Sequence, residues 1–259
     1  MSVLDEIIVG VGKDLAARKS QTSLADLVAA IASAAPPRTP LPAFRAPGLS
    51  VIAEVKRSSP SKGALADIPQ PEKLAAEYQA GGAAAISVLT ESNRFAGSLT
   101  DLDQVRQAVD LPILRKDFII DEYQVYETRA YGADMILLIV AALSDEELTR
   151  LFTLSTKLGL TVLVEVHDEL EARRACELGA ELVGVNNRNL KTLTVDLSQF
   201  SKIVRVLGDD VVKVAESGIL VPEDAARLAS EGADVVLVGE ALVKHKNPRQ
   251  AVRDLIGEV

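Results

Sequence analysis

Glu54 and Lys56 stand two residues apart in VIAEVKRSSPSKG (51–63), where an aliphatic run meets a cluster of serine, proline, lysine and glycine. Residues two apart on an extended strand share a face, so a carboxylate and an ammonium project together there, with Ile52 on the same side. The conjunction recurs along the chain: Lys116 follows PILR, Glu165 closes TVLVE, Asn186 and Arg188 end LVGVNNR, and Glu216 and Ser217 end VVKVAES. Ammonium groups fixed beside carboxylates can give and take protons at a carbonyl or a leaving group, which is general acid–base chemistry. For any one of these positions the alternative is a solvated ion pair beside a turn. As a set they are tolerable only in a shared cavity, because burying each charge alone costs several kcal/mol. Charged groups gathered in that way mark a catalytic site.

The elements that must bring them together are short aliphatic strands alternating with helical segments, the pattern of βαβ units around a parallel sheet. Strands are expected near Val51–Val55, Ala84–Val88, Pro112–Arg115, Met135–Ile139, Thr161–Val164, Leu182–Val185, Val211–Ala215 and Val235–Val238. A Gly-Ala pair precedes every second strand, at Gly82, Gly132, Gly179 and Gly232, where a preceding helix should end in a left-handed residue. Ser144 with Glu147, and Asp168 with Glu171, have the spacing of capping boxes. These features predict an α/β fold, a single (β/α)8 TIM barrel spanning 1–259. A doubly wound open sheet is the alternative, but it gives no reason for a double-unit repeat that closes at eight. Residues 1–48 form an N-terminal helical extension. Leu4, Ile7, Ile8, Val11 and Leu15 make one apolar helix stripe, and Ser23 caps a second helix with Leu24, Leu27, Val28 and Ile31. This extension is expected to cover one end of the barrel.

A chain of 259 residues, nearly half hydrophobic and without tryptophan, suits one large core of branched aliphatic side chains. Its formal charge of −9 opposes general binding to nucleic acid or a membrane surface. The first residues carry Asp5 and Glu6 rather than a basic region, and no apolar run approaches a membrane span in length. Cys176, the lone cysteine, falls in a stripe with Ala172, Ala175 and Gly179 and reads as a small buried helix residue. A cytoplasmic protein is expected, a monomer or weak oligomer that acts on a small molecule. Neither the two histidines nor the lone cysteine has metal-site spacing, so no metal is expected. Acid–base chemistry calls for no cofactor.

The last two strands run into Ser217-Gly218-Ile219 and Gly239-Glu240-Ala241-Leu242. In such barrels this corner commonly takes phosphate on glycine-exposed backbone N–H groups. With Ser59 or Lys62 reaching over from the first loop, a phosphosugar site is expected.

The motifs AEVKRSSPSKG, LRKDF, LVEVHDE, GVNNRNL and VAESGI, in this order and spacing, closely resemble the indole-3-glycerol-phosphate synthase family of the tryptophan pathway. The resemblance implies ring closure of 1-(2-carboxyphenylamino)-1-deoxyribulose 5-phosphate, with loss of carbon dioxide and water. It implies Lys116 as general acid, Glu165 as general base, and Lys56 as second acid and carboxylate contact. Glu54, Asn186, Arg188, Glu216 and Ser217 would orient these groups and hold the substrate. Ser59, Gly218, Gly239 and Glu240 match the family's phosphate region, while Phe95, Phe118 and Leu190 match its contacts to the anthranilate ring. Many relatives carry a small hydroxyl residue where this chain has Glu240.

Three rivals remain at this level: a Schiff-base aldolase, the sibling pathway isomerase, and a non-catalytic phosphate-binding module. The isomerase family uses a cysteine where this chain has its Glu54–Lys56 pair. The intact set of opposing acids and bases argues against a module without chemistry. The loop Ser58–Pro69 lacks periodicity and contains Gly63, which predicts mobility without ligand. Limited proteolysis should cleave within it, and saturating substrate should protect it; equal resistance in both states would refute this.

Overall fold

The computed structural model describes residues 3–189 and 192–257. Its centre is a closed barrel of eight parallel strands: β1 (Ser50–Val55), β2 (Ala85–Leu89), β3 (Ile113–Lys116), β4 (Met135–Ile139), β5 (Thr161–Val166), β6 (Leu182–Asn186), β7 (Val212–Glu216) and β8 (Val235–Val238). Strands neighbour one another in chain order, and β1 pairs with β8 to close the ring. The four Gly-Ala glycines all have positive φ, from 77° to 105°, so each ends its helix as the repeat predicts.

Period-two alternation divides the core. Ile52, Leu114, Leu137, Leu163, Leu182, Val214 and Leu237 fill the barrel interior. Their neighbours, among them Val51, Ile86, Ile113, Leu138, Val164, Val183 and Val236, pack outward against the helices. The polar residues at the ends of β1, β3, β5, β6 and β7 continue the inward set. On β1 the face reads Ile52, Glu54, Lys56; on β7 it reads Val212, Val214, Glu216.

Three helices precede β1: α1 (Val3–Gln21), α2 (Leu24–Ser33) and α3 (Leu41–Phe44). Leu4, Ile7 and Val11 of α1 join the cluster of the barrel interior, and Leu4 and Ile7 lie over its charged mouth. α3 lies at the opposite end. Ser50 Oγ, at the start of β1, donates to Ala43 O (3.3 Å), and Arg45 reaches Glu181 just before β6 (3.1 Å). The helices between and after the strands are α4 (Pro71–Ala80), α5 (Leu99–Ala108), α6 (Glu122–Ala130), α7 (Asp145–Lys157), α8 (Glu169–Glu177), α9 (Ser198–Ile203), α10 (Pro222–Ser230), α11 (Glu240–Lys244) and α12 (Pro248–Ile256).

Three local expectations need correction, and one loop gains a structural detail. On α2 only Leu27 is buried, against Tyr123 of α6 and Leu15 of α1, while Leu24 and Val28 face outward. Cys176 is exposed, because the buried stripe of α8 runs through Ala172 and Ala175, and the next residue lies about 100° further round the helix. Ser144 and Glu147 form the full capping box, but Asp168 and Glu171 form half of one. The Asp168 carboxylate accepts from Glu171 N, whereas Glu171 turns to the N–H of His167 (2.8 Å). Finally, the Ser58–Pro69 loop holds a two-stranded hairpin that pairs Ser58–Ser59 with Gly63–Ala64.

A charged group also lies outside the barrel wall. Arg115 on β3 is fully buried, and its guanidinium meets Asp117 (3.0 Å), Glu127 (2.9 Å), Thr90, Thr128 and the Gln124 carbonyl. Glu127 on α6 in turn accepts from Arg18 of α1 (2.7 Å), which ties the N-terminal helix to the strand that carries Lys116. Arg115→Ala would leave two buried carboxylates without their shared cation. Urea unfolding should therefore show a loss of about 3–5 kcal/mol; an unchanged midpoint would show that the network holds nothing.

Candidate functional site

Four strands deliver the ionic centre. Lys116 Nζ, at the end of β3, lies 3.1 Å from Glu165 Oε2 on β5 and 2.9 Å from Glu216 Oε2 on β7. Asn186 of β6 donates through Nδ2 to Glu165 Oε1 (3.1 Å). All three partners are buried, as charges held in mutual contact in the barrel mouth must be. Beside them Lys56 Nζ sits 3.0 Å from Glu54 Oε1, and Ser87 Oγ donates to the other oxygen of Glu54 (3.4 Å).

The wall around these charges is divided by polarity. Phe95 and Phe118 stand 6.1 Å apart between ring centroids and, with Leu89, Leu137, Ile139 and Leu4, make an apolar side. Lys56 Nζ lies over the Phe95 ring at 6.0 Å, so it reaches both halves. A second cavity shares Lys56, Lys116, Arg188, Ser217 and Glu240 with the first and extends to Gly218, Gly239 and Lys62. Ser217 and Gly218 both have positive φ (65° and 83°), a turn that a non-glycine residue enters only under strain. Arg188 is anchored at the rim through Nη1 to Leu193 O (2.9 Å). Glu240 binds Lys244 one turn along α11 (2.6 Å).

Two glycines leave room for carboxylates. A Cβ on Gly184 would stand 2.1 Å from Glu216 Oε1, and one on Gly239 would stand 2.5 Å from Glu54 Oε1. No side chain larger than hydrogen fits at either position without displacing an ionic group.

Ionisation follows from crowding. Burial pushes the Lys116 ammonium down, but Glu216, Glu165 and Glu54 outweigh it and hold its pKa above the ordinary lysine value. For Glu165, burial pushes up, and Lys116, His167 and Asn186 overcome it, holding the carboxyl well below the usual range. Glu216 goes the other way. Burial, aided by Glu165 and Glu54, prevails over Lys116 and raises it to about 7. Its Oε1 is buried and has no hydrogen-bond partner among the described residues, so it is an acceptor open to a proton. Two carboxylates that flank one lysine thus differ in basicity, which separates proton-holding from charge-holding roles.

Glu54, Lys56, Lys116, Glu165, Asn186, Arg188, Glu216, Ser217, Phe95, Phe118, Ser59 and Glu240 all border one or both cavities. Gly218 and Gly239 line only the second, whereas Ser59 lines only the first. Leu190 lies outside the described residues. Sequence reasoning expected the N-terminal extension as a cover without naming Leu4 and Ile7 as cavity-lining residues, and it missed Ser61 on the first loop and His167, whose Nε2 is 3.2 Å from Glu165 Oε1. Only His167 left a signal, its two-residue spacing from Glu165 on one strand face. Among the described residues, no three His, Cys, Asp or Glu side chains gather as metal ligands.

A family model described as indole-3-glycerol phosphate synthase matches residues 4–255. The indole-3-glycerol phosphate synthase of Nocardioides sp. (strain ATCC BAA-499 / JS614) is 64% identical over 257 residues, 99% of each chain. The Streptomyces coelicolor protein named indole-3-glycerol phosphate synthase 1 is 56% identical over 99% of this chain and 95% of its own. Among solved structures, 3-hexulose-6-phosphate synthase from Salmonella typhimurium superposes with a TM-score of 0.66 at 14% identity, covering 80% of this chain and 97% of that one. Thiamine phosphate pyrophosphorylase from Pyrococcus furiosus gives 0.58 at 20% identity, covering 80% and 93%. At those identities the two structures speak to the barrel alone.

Gly184→Ala tests whether the space beneath Glu216 matters to the ionic centre. Displacing Glu216 from Lys116 should lower kcat on the order of 10²-fold and lower the thermal midpoint as well, because buried charges lose their contact; normal turnover would show that the contact can move freely.

Proposed function

The chain belongs to the indole-3-glycerol phosphate synthase family, and we propose that the Lys116 centre and the two cavities beside it divide the steps of that reaction among the residues named below. The reaction closes the indole ring of 1-(2-carboxyphenylamino)-1-deoxyribulose 5-phosphate to give indole-3-glycerol phosphate, releasing carbon dioxide and water in tryptophan biosynthesis. The observation that carries the division of labour is Lys116 Nζ within 3.1 Å of both Glu165 and Glu216, next to a wall that is apolar on one side and cationic on the other.

The substrate's aromatic ring lies against Phe95 and Phe118, its carboxylate on Lys56, and its phosphate near Gly218, Gly239 and Ser59. Arg188 and Ser217 hold the sugar end between them. Glu240 is turned to Lys244, which leaves the backbone of the Gly239 corner to face the anion. Attack of the carboxylate-bearing ring carbon on the ketone places negative charge on the ketone oxygen, and Lys116 supplies the proton. An ammonium between two carboxylates is a reluctant acid. When Glu216 takes up a proton near its pKa of about 7, Lys116 loses one counter-charge and donates more readily.

Loss of carbon dioxide then restores the aromatic ring. Expulsion of the former ketone oxygen as water needs a second acid, Lys56, and removal of a proton from the methylene carbon beside the ring nitrogen needs a base, Glu165. Two protons are delivered and one is removed, so one proton is taken up per turnover, matching the carboxylate consumed. Glu54 orients Lys56, and Asn186 orients Glu165. No step requires a metal or cofactor. Lys116 held protonated also speaks against an imine-forming aldolase, which needs its lysine as the free amine.

The wider reading is of a cytoplasmic, monomeric or weakly associating protein without nucleic-acid partners, with residues 1–48 as an extension of a single domain. Support comes from the charge of −9, the lone cysteine and the packing of Leu4 and Ile7 over the mouth. Among the described residues no helix is long and apolar enough to cross a membrane.

Lys116→Ala should cut kcat by about 10²–10⁴-fold or more while leaving phosphate affinity largely intact. Indole emission developing from the substrate reads the first, and competition by inorganic phosphate reads the second. A near-normal kcat would remove Lys116 as the acid.

A further inference from the structure

One ionisable group at the mouth has no part in the steps above. His167 follows β5 two residues after Glu165, and both its ring nitrogens face carboxylates. Nε2 lies 3.2 Å from Glu165 Oε1, and Nδ1 lies 3.0 Å from Glu171 Oε2 in the first turn of α8. The same Glu171 oxygen accepts the backbone N–H of His167 at 2.8 Å, so the carboxylate holds ring and backbone together. Nδ1 is in hydrogen-bond geometry with Glu171, whereas Nε2 meets Glu165 as an ion-pair contact without a hydrogen bond. A neutral imidazole has one N–H and would turn a lone pair on one of the two acids, and only the imidazolium is attracted to both. From the geometry we infer that His167 is a positioning residue for the base: an imidazolium clamped by Glu171 that fixes the outer oxygen of Glu165 and leaves the inner one to Lys116.

The inference rests on Glu165 acting as the base. The charged groups facing His167 are Glu165 on its own strand and Glu171 on α8. Those facing Glu165 are His167, Lys116 of β3 and Glu216 of β7, with the amide of Asn186 from β6. Burial pushes the imidazole down, yet the two carboxylates outweigh it and raise its pKa to about 10, so it stays charged across the working range of the base. The clamp also explains why Glu171 leaves the capping box at Asp168 half made. Its carboxylate is committed to the histidine.

The sign of the pH effect follows. Glu165 is held below the ordinary carboxylate range against a burial penalty that pushes it up. Removing the imidazolium takes away one of the forces opposing that penalty, so the pH below which Glu165 is protonated and idle must rise. With kcat followed by indole emission, His167→Gln should move the acid limb upward by about one pH unit with little change in KM. Glu171→Gln should move it the same way by less, since the ring stays but its anchor goes. Glu165→Gln should be inactive at every pH.

A His167→Gln limb that coincides with wild type, while Glu165→Gln is inactive, overturns the inference and keeps Glu165 as base. An active Glu165→Gln overturns both. If His167→Gln fails to fold, by circular dichroism, Glu171→Gln decides, and an unmoved limb there overturns the clamp. Nitrogen-15 spectra of the wild-type enzyme add a readout free of turnover. There are two histidines, His167 and His245, and His167 should show both ring nitrogens protonated at neutral pH; a neutral ring would overturn the inference.

Discussion

An ammonium shut into the barrel mouth with a carboxylate on either side is the contact on which this protein turns. Lys116, Glu165 and Glu216 come from strands separated by roughly fifty residues of chain each, yet their polar atoms meet within 3.1 Å. Stripping water from each charge costs several kcal/mol, and only the presence of the other two recovers it. The contact therefore exists only when β3, β5 and β7 share one register. A strand slipped by one residue would turn its charged end into the helical layer and a neighbour toward the axis. Closing the barrel and assembling the site are one requirement.

Behind that layer is a second one, built from the residues on either side of Lys116. Arg115 points outward into the helices, Asp117 closes on it, and Glu127 joins them to Arg18 of α1. The inward lysine is held on a strand whose outward face is pinned by a satisfied guanidinium, not by apolar packing alone. The N-terminal helix thus touches the ionic machinery twice: through Arg18 from outside the wall, and through Leu4 and Ile7 above the cavity. A helix that packs over the mouth while bonded to its frame acts as part of the site's wall.

Much of this was readable before any coordinates, because the signals were redundant. Eight aliphatic runs, a glycine at alternate helix ends and polar residues closing five of the runs agree on one closed architecture. The polar closures of β3, β5, β6 and β7 lie inside the strands, since ladder hydrogen bonding continues past the point where hydrophobicity stops. Misreadings arose where one-dimensional pattern stood in for neighbours. Cys176 follows Ala175 in sequence but faces out, and α2 buries only Leu27 because α6 and α1 offer it a narrow contact. Glu171 carried a capping spacing and was drawn to a histidine instead. Period two placed Glu165 on the inward face, and nothing in the spacing alone said that His167 would be bracketed by acids on both sides.

The core is filled mainly by valine, leucine, isoleucine and alanine, with a few phenylalanine, tyrosine and methionine side chains, and by no tryptophan. For an enzyme on the route to that amino acid, this choice of filling has a consequence outside the folded state. A ribosome can complete the chain when tryptophan is scarce, so synthesis of the catalyst does not stall on the shortage it serves to relieve.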